Sequence, residues 1–85
     1  MPGRSILIVE DEPLIAMMLE DFLESLGHDV VATCESLEDA LVRVRAGGFD
    51  LAIIDVQLKD GKRVWPVADI LKQDGPPFIL ATRGH

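Results

Sequence analysis

Four short apolar runs, separated by stretches with helical periodicity, limit this chain to one class of fold. The runs span Ser5–Val9, Asp29–Cys34, residues 49–54 and Phe78–Ala81. Runs of this length that are apolar almost throughout are typical of strands buried on both faces. Strands that alternate with helices predict an α/β fold, in which helices cover a parallel sheet.

Three helices are predicted between the strands. Pro13 can begin the first and Gly27 ends it, while Ser36 caps the second and Gly47 ends it. The first helix carries apolar residues at helical spacing (Ile15, Met18, Leu19, Phe22, Leu26) and turns Glu20, Asp21 and Glu24 away from them. The third carries Val64, Val67, Ala68 and Leu71 at helical spacing, with Pro66 in its first turn.

The charge is acidic and unevenly distributed. Residues 1–39 contain ten acidic residues and one basic residue, whereas residues 40–85 contain five acidic and seven basic residues, within a net charge of −7. Nucleic acids and anionic membranes both favour clustered Lys and Arg, so neither is expected as a main partner. No apolar run reaches the length of a membrane span, and we expect a cytoplasmic domain. The single cysteine, Cys34, excludes an internal disulfide and is expected to be a small buried apolar residue.

Right-handed crossovers leave few ways to arrange four parallel strands. The flavodoxin-like doubly wound sheet, with strand order 2-1-3-4, places the first and third strands side by side, and ligands bind beyond their carboxyl ends. Glu10, Asp11 and Glu12 follow the first strand, and Asp55 follows the third. Two distant segments are therefore predicted to bring carboxylates to one crevice.

Carboxylates in such a crevice suit Mg²⁺, which prefers oxygen ligands and is commonly shared with a phosphate. A carboxylate beside the metal can also accept a phosphoryl group. In this interpretation Glu10 and Asp11 bind the metal, and Asp55 both binds it and accepts the phosphoryl group. The backbone carbonyl of Gln57 adds an oxygen ligand, and the hydroxyl of Thr82 donates to a phosphoryl oxygen.

Each residue also has a simpler interpretation. Asp11 can cap the first helix, Asp55 can be a turn residue at a strand end, and Thr82 is common at strand ends. An enzymatic alternative is a phosphatase of the haloacid-dehalogenase type, but those show a second Asp where Gln57 stands. A phosphate-binding loop is excluded because Val56 occupies the position of its first glycine.

The segments ILIVEDE at 6–12, LAIIDVQL at 51–58 and FILAT at 78–82 resemble the receiver domain of bacterial two-component response regulators. The resemblance implies that Asp55 accepts phosphate from a histidine kinase or phosphotransfer protein. It also implies an acidic Mg²⁺ pocket at Glu10 and Asp11, a switch hydroxyl at Thr82, and no separate turnover activity. Residues 77–82 further resemble a Pro-Phe-x-Phe-Ala-Thr-Gly subgroup that includes many single-domain proteins.

The resemblance also implies that residues 1–85 form an incomplete receiver domain. A typical receiver continues with a fourth helix, a fifth strand and a fifth helix, and that part carries the lysine that pairs with the phosphate. Lys59 or Lys62 can substitute for this lysine only in part.

Two apolar surfaces are expected to lack cover as a result. One is the first helix at Met17, Met18, Phe22 and Leu26, and the other is the edge of the fourth strand, Phe78–Ala81. Such surfaces promote association, so a homodimer through the strand edge or the first-helix face is predicted. The alternative function is a phosphorylation-independent or inactive receiver that acts as a dimerising interaction module.

Overall fold

The computed structural model of the chain describes residues 3–55 and 65–81. In chain order the elements are β1 (Ser5–Val9), α1 (Pro13–Ser25), β2 (Asp29–Cys34), α2 (Leu37–Ala46), β3 (Leu51–Asp55), α3 (Trp65–Asp74) and β4 (Phe78–Ala81). The strands form one sheet in the order β2-β1-β3-β4, and each neighbouring pair is parallel. The predicted α/β class, doubly wound arrangement and strand order are confirmed.

The third strand differs from its prediction at both ends. It begins at Leu51 and includes Asp55, which pairs with Ala81 of β4. Phe49 precedes the strand, yet its side chain is buried in the core. An apolar residue can therefore fill the core from a turn, and a polar residue can continue a strand when a neighbour supplies its backbone hydrogen bonds.

Capping residues and glycines begin and end the helices close to the predicted positions. The Ser36 side chain accepts a hydrogen bond of 3.1 Å from the Asp39 backbone N–H at the start of α2. Gly27 and Gly47 end α1 and α2 with φ of +92° and +75°, a region that L side chains rarely adopt. Pro66 is the second residue of α3, and Val64 lies outside the described residues.

The two faces of the sheet are covered unequally. Helices α2 and α3 pack on one face, where β1 contributes Leu7 and Val9 to the larger core cluster. Helix α1 packs on the other, where Leu23 contacts a smaller cluster with Ile6 and Ile8. Alternate residues of each strand point to opposite faces, so one central strand supplies both clusters.

The face that α1 buries is narrower than its apolar stripe. The helix buries Ala16 and Leu23, and it leaves Met18, Phe22 and Leu26 between 58% and 70% exposed. Only part of the wide apolar stripe of α1 is thus buried, because α1 is the one helix on this face of the sheet among the described residues. The expected lack of cover at these three residues and at Met17 is confirmed.

Candidate functional site

Glu10 stands at the end of β1, and two hydrogen bonds fix its position. Its backbone N–H donates to the Cys34 carbonyl at 2.9 Å and so extends the β1–β2 ladder by one residue. Its carboxylate Oε2 accepts the Glu12 backbone N–H at 3.0 Å. The side chain is only 6% exposed, so its charge lies within the crevice.

Asp55 reaches the same crevice from β3. Val9 of β1 pairs with Ile54 of β3, which places the next residues of the two strands, Glu10 and Asp55, side by side. Asp55 is 3% exposed and Asp11 is half-buried. One carboxylate oxygen from each of Glu10, Asp11 and Asp55 lies within 4.8 Å of the others. The predicted convergence of two distant segments is therefore present in the structure.

Three carboxylates this close repel one another strongly. At a separation near 5 Å and an effective dielectric constant of about 20, each pair of charges costs about 3 kcal/mol. Hydrogen bonds such as the one at Glu10 relieve part of this cost, and a cation bound between the carboxylates relieves more. The crevice thus has the electrostatic character of a cation site.

The donor set suits a hard cation. All three side chains offer oxygen, whereas zinc sites usually contain His or Cys. In an octahedral Mg²⁺ shell, ligand oxygens lie about 3 to 4 Å apart, which these oxygens reach by small side-chain rotations or through a shared water. The acidic cluster is therefore compatible with a Mg²⁺ site.

Several predicted site residues lie outside the described residues. Gln57 and Thr82 are the two with assigned roles, and Lys59 and Lys62 are the candidate partial substitutes for the phosphate-pairing lysine. Their roles stay predictions.

A shallow pocket beside α1 was not predicted from the sequence. It measures about 190 Å³ and is lined by Pro13, Ala16, Met17, Glu20, Thr33 and Glu35. Within it the Thr33 hydroxyl donates to Glu20 Oε2 at 2.5 Å. Glu20 was predicted to lie on the solvent side of α1, and the missed signal was Thr33, a polar residue within the run of small and apolar residues from Val30 to Cys34.

Cys34 takes no part in the acidic site through its side chain. The thiol is buried in the larger core cluster, as predicted for a small apolar residue. Burial raises its pKa, Asp39 adds to the rise, and Arg43 opposes it. A neutral thiol is a poor nucleophile and a poor metal ligand.

No helix within residues 3–55 and 65–81 combines the length and the apolar character needed to cross a bilayer.

Known proteins with similar sequences include bacterial regulatory proteins. The chain is 40% identical over 82 residues to the phyllosphere-induced regulator PhyR of Methylorubrum extorquens, which covers 94% of this chain and 31% of PhyR. It is 33% identical to the transcriptional regulatory protein YvrH of Bacillus subtilis, of which it covers 35%. The chain thus spans about a third of the length of these relatives.

Solved structures agree with this similarity. The solution structure of SdrG from Sphingomonas melonis superposes with a TM-score of 0.86 at 54% identity, over 94% of this chain and 68% of SdrG. PhyR from Bartonella quintana, in a co-crystal structure with the anti-sigma factor NepR, superposes with a TM-score of 0.80 at 39% identity, over 92% of this chain and 33% of PhyR.

The match to the response regulator receiver domain extends over residues 6–85, which includes all of the sheet except Ser5 and all three clustered carboxylates. The fold, the acidic crevice and this match agree, and the chain belongs to the response regulator receiver domain family.

Proposed function

We propose that this chain is a phosphoacceptor of a two-component phosphorelay. It takes a phosphoryl group from a histidine kinase or phosphotransfer protein onto Asp55, and it signals through protein contacts. The observation that carries the proposal is the convergence of Glu10, Asp11 and Asp55, which are supplied by two segments distant in sequence. A single acidic loop is common on protein surfaces, whereas here a buried pair of carboxylates on adjacent strands joins a third from a loop.

Each carboxylate has a distinct role in this proposal. Asp11, half-buried, and Asp55 bind Mg²⁺, and Glu10 orients the site and contributes an oxygen directly or through water. The backbone carbonyl of Gln57 supplies another ligand. When bound, Mg²⁺ screens the repulsion between the phosphoryl oxygens and the acceptor carboxylate.

The transfer itself is a displacement at phosphorus by Asp55. A carboxylate oxygen forms the new P–O bond, the P–N bond of the donor phosphohistidine breaks, and its electron pair stays on the imidazole nitrogen, which takes up a proton. The Thr82 hydroxyl then donates to a phosphoryl oxygen. No separate turnover activity is proposed. SdrG, which is 54% identical to this chain, has a BeF₃-activated conformation, and this supports an activation step in a similar receiver domain.

Native mass spectrometry with Mg²⁺ and acetyl phosphate tests the proposal. The wild-type protein is expected to gain the mass of one phosphoryl group, and Asp55→Asn is expected to gain none. Asp69→Asn, on the exposed side of α3, is the matched control because it removes the same charge away from the crevice. A full adduct on Asp55→Asn, or none on the wild type, contradicts the proposal.

Metal binding is tested separately by the fluorescence of Trp65, which begins α3 and is 47% exposed. Mg²⁺ is expected to change its emission in the wild type and to lose this effect in Asp11→Asn. Because Asp11→Asn also removes one of three repelling charges, we expect its metal-free form to unfold at a higher temperature than the metal-free wild type. An unchanged response in Asp11→Asn contradicts the metal site.

A second candidate function is a phosphorylation-independent, dimerising interaction module, and the exposed edge of β4 favours it. Among the described residues β4 has one neighbour, β3, and its Ile79 and Leu80 are 52% and 39% exposed. An apolar strand with unpaired backbone groups can pair with another copy. We propose this edge, rather than the face of α1, as the homodimer contact.

Analytical sedimentation tests whether the chain dimerises through the β4 edge or associates nonspecifically. The wild type is expected to sediment as a dimer, and Ile79→Lys as a monomer because a charge on the edge blocks strand pairing. Val42→Lys is the control, since Val42 is 68% exposed on α2, away from the edge. A monomeric wild type, or an equal effect of both substitutions, contradicts the dimer.

A further inference from the structure

The backbone at the start of β1 is hydrogen-bonded to a side chain on each of its two edges. On the edge toward β3, the Ser5 N–H donates to Asp50 Oδ2 at 3.0 Å, and the Ser5 carbonyl accepts the Asp50 N–H at 2.7 Å. On the edge toward β2, the Arg4 N–H donates to His28 Nδ1 at 3.0 Å, and the Arg4 carbonyl accepts the Asp29 N–H at 2.9 Å. Each edge thus combines one side-chain acceptor with one backbone donor.

The segment formed by Gly3 and Arg4 lies directly against the turn between α1 and β2. A Cβ built on Gly3 would overlap the Gly27 carbonyl oxygen and lie 2.8 Å from the Cα of His28. These are backbone atoms, so they cannot move aside without a change in the turn. The turn is itself fixed to the helix, because the His28 N–H donates to the Leu23 carbonyl at 3.0 Å. The hydrogen bond from Arg4 to the His28 ring therefore belongs to a closely packed contact.

This hydrogen bond requires a neutral ring at His28. The Arg4 N–H is a donor, so Nδ1 accepts with its lone pair and the ring proton is on Nε2. A second proton on the ring occupies that lone pair and makes Nδ1 a donor, which then faces another donor. Imidazole side chains ordinarily change charge between about pH 5 and 8, whereas carboxylates, the acceptors on the β3 edge, ordinarily stay charged down to about pH 4. The contact on the β2 edge is therefore the one that mild acid can break.

The charged groups around the His28 ring are of both signs. Glu24 comes from the last turn of α1, Asp29 from β2 and Arg4 from the segment itself, and all three side chains are exposed. Asp50 is exposed on the opposite edge of β1. Water and salt screen exposed charges, whereas the hydrogen bond to Nδ1 is a direct contact. The protonation state of the ring therefore determines whether the segment fits against the turn.

We propose that His28 is a pH-sensitive latch, which holds Gly3 and Arg4 against the turn while its ring is neutral and releases them when the ring is protonated. The hydrogen bond is present at a pH above the range in which the ring titrates, and it is lost as the pH falls through that range. Release also frees the Asp29 N–H, because its acceptor, the Arg4 carbonyl, moves with the segment.

The opposite edge of β1 is not part of the latch. Ser5 keeps its two hydrogen bonds to Asp50, so β1 stays in the sheet when the segment is released. The latch is at the amino end of β1, whereas Asp55 stands at the carboxyl end of β3. The proposal therefore goes beyond phosphoryl transfer at Asp55 and does not depend on it.

Amide hydrogen exchange, followed by NMR on the full chain from about pH 7.5 to about pH 5, tests the latch. Each measured rate is compared with the intrinsic rate at the same pH, because intrinsic exchange itself depends on pH. The protection of the Arg4 and Asp29 amides is expected to fall about fivefold over this range, the effect of losing one hydrogen bond. The Ser5 and Asp50 amides are the internal control and are expected to keep their protection. The nitrogen chemical shifts of the His28 ring are expected to show protonation over the same range.

Two substitutions at His28 separate the acceptor from its titration. His28→Asn supplies an amide oxygen that accepts a hydrogen bond and does not titrate, so the Arg4 amide is expected to stay protected throughout. His28→Phe keeps a flat ring without an acceptor, so the Arg4 amide is expected to be about fivefold less protected at neutral pH. His85→Ala removes the other histidine of the sequence and is the matched control, which is expected to behave like the wild type. Thermal unfolding at neutral pH checks that each variant folds.

Several outcomes overturn the proposal. If the protection of the wild-type Arg4 amide is unchanged across the range, the ring does not control the segment. If the Ser5 amide loses protection in parallel, acid opens the whole strand instead of the latch. An equal loss in His28→Asn, or no loss in His85→Ala, assigns the pH dependence to another group. Because the Arg4 and Ser5 amides are compared within the wild-type protein, the test holds even where a substitution destabilises the fold.

Discussion

Glu10 shows how one side chain can order an acidic site that otherwise repels itself. Its backbone extends the β1–β2 ladder, and its carboxylate accepts the N–H of Glu12, the residue that immediately precedes α1. The loop that carries Asp11 is therefore held at both ends by the same residue.

Cys34 provides a prediction about pH. Burial raises the pKa of its thiol in the folded protein, so the folded state keeps the proton over a range in which the unfolded state releases it. This contribution to stability is fully present below the pKa of the unfolded thiol and is lost as the pH rises through the folded pKa. In urea unfolding between neutral and alkaline pH, we expect wild type to lose more stability than Cys34→Ala.

The same thiol is expected to react slowly with iodoacetamide in the folded protein and faster in urea. Rapid alkylation of the folded protein contradicts the assignment of Cys34 as a buried neutral thiol.

Gly27 provides a prediction about backbone conformation. Its φ is +92°, and a Cβ built on it meets nothing within 4 Å, so any cost of a side chain is conformational. Gly27→Ala is expected to lower the free energy of unfolding by about 1 kcal/mol. Gly27→Asn is the matched variant and is expected to cost less, because Asn tolerates positive φ better. Equal losses in urea unfolding contradict this explanation.

At the scale of elements, sequence periodicity predicted the positions of strands and helices better than it predicted which side chains of a helix are buried. The positions of strands and helix ends followed from apolar runs, from Ser36 and from glycines, all of which act locally. The buried face of α1 did not follow, because its stripe is wider than the surface that covers it. Which part of a stripe is buried depends on neighbouring elements, and a helix's own residues do not contain that information.

The polar side-chain contacts were likewise predicted only in part. Glu10, Asp11 and Asp55 were predicted from topology, since parallel strands deliver their ends to one edge. The contact between Glu20 and Thr33 was missed because it joins a helix side chain to an edge strand and has no sequence spacing of its own.

Adjacent residues of α1 test the packing directly. Leu23 is 7% exposed and contacts the small cluster with Ile6 and Ile8, whereas Phe22 is 61% exposed. Leu23→Ala is expected to cost about 2 to 5 kcal/mol and Phe22→Ala less than about 1 kcal/mol in urea unfolding. If Phe22→Ala lowers the free energy of unfolding more than Leu23→Ala does, the face that carries Phe22 is buried, which contradicts the structure.

At the scale of the whole molecule, a net charge of −7 on 85 residues makes self-repulsion significant. Raising NaCl from about 0.01 M to 0.15 M shortens the Debye length from about 30 to 8 Å. The melting temperature is therefore expected to rise with salt. Glu35→Lys, at an exposed position within the acidic half, is expected to show a smaller rise. A melting temperature that falls with salt means that attractive ion pairs dominate instead.

The strand order also affects how the chain can fold while the ribosome is still synthesising it. β1 is central, β2 joins one of its sides, and β3 and then β4 extend the other, in the order in which a ribosome releases them. Each new strand meets an edge that is already formed and open, and no strand has to insert between two that are paired. Growth of this protein on the ribosome can therefore proceed outward from its first strand, without undoing any earlier pairing.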